Sequence, residues 1–163
     1  MADQRDPRLD ELFQAMSQTD NARVSAEIEQ QIWQIWLEHQ DPEIEARLSQ
    51  GMLAMDQNPA RALNVFTALI EEQPEFAEAW NKRATLYYLL GDYSASADDI
   101  EQTLALEPRH FGALSGLGLV RLALNQYLEA QDAFEAVLEI QPSNRNAQQN
   151  LEMINRYLRR FTT

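Results

Sequence analysis

Cysteine is absent from the 163 residues, which excludes a disulfide framework, a thiol nucleophile and every thiolate metal site. Glycine, at 5, and proline, at 6, are scarce, and β-branched residues are sparse beside Ala, Leu, Glu and Gln. These straight-chain residues favour helices, so an all-α fold is expected. Cations are few as well: 13 Lys and Arg face 26 Asp and Glu, a formal charge of -13 that repels phosphate backbones and anionic membrane surfaces. Nucleic acid and membrane are therefore set aside as partners. No run of 18 apolar residues is present, as a membrane-spanning helix requires. Met1 to Asp10 carries alternating charges without the apolar block of a Sec-type signal, and a cytoplasmic location is expected.

Recognisable chemistry is also missing. His39 and His110 stand far apart, with no cysteine or second imidazole near either to complete a zinc-ligand spacing. No Walker or dinucleotide loop occurs; Gly112, Gly116 and Gly118 fall within a helical stretch, where packing explains them. The serines lack a hydrolase elbow. Adjacent carboxylates such as Glu71-Glu72 and Asp98-Asp99 point about 100° apart around a helix, so they read as solvated faces and not as a catalytic pair. No enzyme, cofactor, metal or catalytic residue is expected.

What the chain does contain is a period of 34. Pro74, Pro108 and Pro142 recur at that spacing, each after an apolar helical stretch, and define windows 43–76, 77–110 and 111–144. In the second, Ala77-Glu78-Ala79-Trp80 starts a helix, Ala84 and Tyr87 continue its face, Gly91-Asp92-Tyr93 makes a turn and Leu104 to Pro108 closes the unit. The third carries Leu114, Leu117, Gly118, the Asn125-Gln126-Tyr127 turn, Ala130, Phe134 and Pro142 at matching places. Gly118 and Ala130 sit where the two helices of a hairpin cross, with Phe134 and Leu117 filling the space beside them. In the first window Ala62, Phe66 and Pro74 fit, but Gly51 lies one place late and Gln57-Asn58-Pro59 replaces the glycine turn, as a one-residue shorter turn would explain. This pattern resembles the tetratricopeptide repeat. Departures are Ser96 and Thr103, where alanine is usual, and Arg83, where an apolar residue is usual. Arg83 either packs its stem while pairing with Asp98 or Asp99, or serves as a ligand-binding cation.

Two helices are expected within residues 1–42. Asp6-Pro7 opens the first, with Leu9, Leu12, Phe13 and Met16 on one face. The second should run from Asp20 or Asn21 to about His39, with Val24, Ile28, Ile32 and Ile35 as a stripe widened by Trp33, Trp36 and Leu37. Its role is either to cap the solenoid or to present the two tryptophans as a docking surface. Residues 145–163 form a C-terminal cap, read as one amphipathic helix from Asn144 to Phe161 with Ala147, Leu151, Ile154 and Leu158 inward. About nine helices result, an α-solenoid of antiparallel pairs. Three basic against nine acidic residues over 1–42, and four against one over 145–163, give the ends opposite sign. Such asymmetry suits weak head-to-tail self-association, although Arg156, Arg159 and Arg160 also offset a helix dipole.

The resemblance implies a non-catalytic protein-protein interaction module, an adaptor or scaffold whose concave groove, lined by the first helix of each unit, holds a partner's peptide or helix. Carried over by position, the groove residues are Leu48, Met52 and Met55 in the first unit, Asn81, Thr85, Tyr88 and Leu89 in the second, and Ser115, Leu119 and Leu122 in the third. Relatives that bind chaperone C-termini use a lysine and asparagine clamp, and the matching places here hold Asn81 with Thr85 and Ser115 with Leu119, so the clamp is absent as a set. The mixed lining and acidic chain favour a basic or amphipathic protein segment. The alternative is a small acidic cytosolic chaperone for a secreted or assembling client; a subunit supporting another enzyme is a third reading.

Overall fold

Asparagine, aspartate and proline divide the chain into helices in the computed structural model, which describes residues 3–160. Among the described residues there are nine helices and no strand: α1 (Arg8–Ser17), α2 (Ala22–Leu37), α3 (Pro42–Ala54), α4 (Pro59–Glu72), α5 (Ala77–Leu89), α6 (Tyr93–Leu106), α7 (Phe111–Ala123), α8 (Tyr127–Ile140) and α9 (Arg145–Arg159). None of them is long and apolar enough to cross a membrane. Side chains of Asn21, Asp41, Asn58, Asp92, His110 and Asn144 accept backbone N–H bonds at helix starts, and Pro42 and Pro59 sit in first turns where no N–H is required.

Three antiparallel hairpins, α3/α4, α5/α6 and α7/α8, stack in chain order, and α9 packs on α8. This is the stacked all-α arrangement that the 34-residue period predicts. Small residues set the closeness of each pair. A Cβ at Gly118 would lie 2.6 Å from the Phe134 ring, and one at Gly51 would lie 2.5 Å from Phe66. Both glycines therefore permit an aromatic ring to fill the crossing. Gly51 precedes Phe66 by one residue fewer than Gly118 precedes Phe134, yet the turn is not the shorter one expected from sequence: residues 55–58 join α3 to α4, four residues against three in each later hairpin, and α3 instead ends sooner after its glycine. Gly91 (φ 80°) and Asn125 (φ 59°) take the left-handed conformation at equivalent turns of the second and third hairpins. Buried Ser96 donates to the Ala84 carbonyl (2.8 Å) and buried Thr103 to that of Asp99 (2.9 Å), so both departures from alanine are satisfied by helix backbone.

Arg83 lies between hairpins. Its guanidinium makes a two-pronged contact with Asp99 (2.7 and 2.8 Å), donates to Thr67 (3.2 Å) and lies near the rings of Trp80 and Tyr87. That is a structural tie between α4, α5 and α6 and not a free cation. The same contact corrects the solvated-face reading of Asp98-Asp99: Asp98 is exposed, but Asp99 is buried against Arg83.

The N-terminal pair turns back across the later units. Leu9, Phe13, Met16, Ile28, Ile32, Ile35 and Trp36 form one cluster that includes Phe111 of α7, with Ile140 against it. Polar ties fasten the pair: Asp10 to Arg109 (2.7 Å), Gln141 Nε2 to Ser25 Oγ (3.2 Å) and Glu29 (2.8 Å), and Ala77 N–H to Gln4 (3.4 Å). Its contacts run to the starts of α5 and α7 and the end of α8, where a cap would simply have extended the stack. Val24, expected in the buried stripe, is exposed because Ser25 takes the inward place facing Gln141. In α9, Ala147 and Ile154 are buried, with Leu151 and Leu158 packed beside them. The expected end of that helix at Phe161 lies outside the described residues.

Candidate protein-interaction groove

The leading helices α3, α5 and α7 present equivalent places, Gly51, Ala84 and Gly118 fixing the register. By that register the trios expected to line the groove fall at matching places: Leu48, Met52 and Met55; Asn81, Thr85 and Tyr88; Ser115, Leu119 and Leu122. Helix α2 lies against the starts of α5 and α7 and occupies part of this inner side. Trp36, 1% exposed, stacks on His110 (centroids 4.0 Å, planes 9° apart). Trp33 stands edge-on to His110 and Phe111 (5.4 and 5.6 Å) and over Gly112, where a Cβ would meet its ring at 2.7 Å. The absent side chain at Gly112 is thus the seat of Trp33. Because Trp36 is buried and Trp33 half-buried, the two tryptophans do not form the exposed docking surface considered from sequence.

Beneath them lies a buried polar cluster. Glu78 meets His110 Nε2 (2.5 Å), Asn81 Nδ2 (3.3 Å) and Lys82 Nζ (3.2 Å), and Lys82 also lies 4.8 Å from the Trp33 ring centre. His110 Nδ1 accepts the Ala113 N–H (3.0 Å), which places the ring proton on Nε2, donated to Glu78. Burial alone would raise the Glu78 pKa; Lys82, His110 and Asn81 outweigh it and hold it at about 2. With Glu78 and His110 both covered by the hairpin, this carboxylate–imidazole contact seats α2 and is closed to substrate. Among the described residues no three His, Asp or Glu side chains converge as a metal site.

Two of the openings among the described residues include expected groove residues. One, about 720 Å³, separates α2 from α3 and is lined by Trp33, Leu37, Leu48, Met52 and Leu53 among others. The other, about 190 Å³, lies between α5 and α7 and includes Thr85, Tyr88, Ser115, Gly116 and Leu119. Of the groove residues expected from sequence, Leu48 and Met52 line the first opening, and Asn81, Thr85, Tyr88, Ser115 and Leu119 line the second. Met55, Leu89 and Leu122 line neither: Met55 packs on the first hairpin core, Leu122 on the third, and Leu89 is exposed at the end of α5. Leu48 is almost wholly buried and Asn81 is turned to Glu78, so both give more to packing than to a partner. Sequence reasoning offered Trp33, with Trp36, for docking, but missed Leu37 beside it as a cleft wall and Glu78 with His110 as the support. No local pattern joins them, because they lie far apart along the chain.

The stacked antiparallel hairpins define a repeat solenoid. The chain belongs to the tetratricopeptide repeat family, whose profile matches residues 48–101 and 82–145. A TPR repeat-containing protein of Rhizobium etli is 34% identical over 149 residues, covering 90% of this chain and 72% of that protein. The first TPR of Spaghetti (RPAP3) bound to the HSP90 peptide SRMEEVD is similar with a TM-score of 0.68 and 26% identity, over 71% of this chain and 92% of that one. The Sgt2 TPR domain from Aspergillus fumigatus matches with a TM-score of 0.68 and 25% identity, over 75% and 83% of the two chains.

Proposed function

We propose that this chain is a non-catalytic cytoplasmic adaptor that holds a segment of a partner protein against the inner faces of α5 and α7. The observation that carries this reading is the opening left there, where Thr85, Tyr88, Ser115 and Leu119 face one another beside Gly116. Tyr88 and Leu119 supply apolar contact, and Ser115 can hydrogen-bond a peptide. Membership of a family of protein-binding repeats supports the reading.

The partner differs in chemistry from the acidic HSP90 peptide held by the Spaghetti domain. Cations for an anionic terminus are lacking: Leu48 and Met52, Asn81 and Thr85, and Ser115 and Leu119 stand at the clamp places, and Lys82 is engaged by Glu78. An apolar segment with neutral or basic flanks suits the groove. Affinity capture from native cells tests the function, comparing the wild type with the double variant Tyr88→Ala and Leu119→Ala. Both side chains are partly exposed, so helical content and melting should persist while capture falls roughly tenfold or more. Unchanged capture by a folded double variant would refute groove recognition at α5 and α7.

A further inference from the structure

The larger opening is not between repeat helices. It is the cleft between α2 and α3, consecutive helices joined through Glu38 to Asp41 and separated by that opening. Its floor is apolar: Trp33 and Leu37 come from α2, and Leu48, Met52 and Leu53 from α3. Leu53 is 77% exposed, so the floor reaches the surface on a side chain with little cover. Trp33 cannot withdraw from the cleft, because Gly112 seats its ring and Lys82 lies against it. The trough is therefore set by the docking of the hairpin.

Its charge is one-sided. The lining includes the carboxylates of Glu38 and Glu45 and no cation. Arg8 reaches Glu38 at 3.3 Å from outside the cleft and is itself held by Asp6, while Glu45 accepts the His39 N–H (3.4 Å). Nearby Asp41 and Glu43 are exposed and deepen the negative field. We infer that the α2–α3 cleft takes one amphipathic helix of a partner protein, its apolar face on Trp33, Met52 and Leu53 and its Lys or Arg flank toward Glu38 and Glu45. A helix suits the place because an apolar groove walled by two helices takes a third through side chains at i, i+3, i+4 and i+7. The inference builds on the adaptor reading and gives it a second site, one wall of which lies outside the repeats.

The test is a heteronuclear NMR titration of the full chain with two designed 14-residue helical peptides sharing a leucine face, one flanked by lysine and the other by glutamate. The Trp33 indole and the Met52 methyl report the cleft; Tyr88 and Leu119 report the α5–α7 opening. The lysine peptide is expected to shift Trp33 and Met52 saturably, and the glutamate peptide to bind at least tenfold more weakly. Leu53→Lys should weaken the lysine peptide about tenfold, whereas Leu128→Lys, the same change at an exposed leucine on α8, should leave it within twofold. Equal effects of the two substitutions, equal binding of the two peptides, or no saturable shift at Trp33 and Met52 would overturn the inference. Shifts confined to Tyr88 and Leu119 would overturn it while supporting the groove reading. Sedimentation of the chain alone provides the remaining comparison: self-association abolished by Leu53→Lys would assign the cleft to a second copy and displace the proposed partner helix.

Discussion

At the residue scale, Glu78 joins stability to pH. Its carboxyl is held at about 2 against an ordinary 4.5, so the folded chain releases this proton more readily than the unfolded one. The resulting stabilisation is present above about pH 4.5 and is lost as pH falls toward 2, because the unfolded chain takes up the proton first. It amounts to a few kcal/mol. Denaturant titrations of Glu78→Gln and wild type from pH 6 to pH 3 should show the wild type losing its advantage as acid is added; parallel curves would remove Glu78 from that role. Gly118 supplies a purely steric counterpart. Gly118→Leu drives a side chain into Phe134 and should cost about 1–3 kcal/mol, read as a lower denaturation midpoint.

At the scale of elements, the seat of α2 rests on Trp36, whose indole N–H finds no hydrogen-bond partner among the described residues. Trp36→Ala should therefore cost about 3–5 kcal/mol through the cavity it opens, while Trp36→Phe should cost much less, since it removes an unpaired donor and keeps a ring against His110. Thermal melts of the two variants separate these outcomes. The hairpins themselves were legible: Pro74, Pro108 and Pro142 mark their boundaries, and Gly118 opposite Phe134 shows the crossing, because each signal lies within one unit and repeats in the next. Where α1 and α2 rest was not legible, since Trp33 meets Gly112 and Trp36 meets His110 far along the chain, in contacts made once and without periodicity. The same reason hid the α2–α3 cleft: Leu48 and Met52, expected from the repeat register to line the groove, stand on its wall opposite helix α2, which that register does not place. Asn81 followed that register too, but its side chain turned to a glutamate whose partner, His110, stands at the far end of the same unit.

At the scale of the whole molecule, a charge of -13 acts on any partner before contact. A basic segment should be captured more weakly as salt rises from about 50 to 500 mM, over which the screening length shortens several-fold, with most of the loss in association rate. Binding that is indifferent to salt would point to a purely apolar segment. The return of the N-terminal pair onto Arg109, Phe111 and Gln141 also bears on assembly. Each repeat hairpin closes over neighbouring residues and can form as it leaves the ribosome, yet the first helices made must wait for the end of the second unit and the third before Trp36 meets His110 and Phe111 and Gln141 closes on Ser25. Synthesis that stalls before residue 141 would leave two complete hairpins beside an undocked, tryptophan-bearing arm, the state of this chain most in need of protection from aggregation.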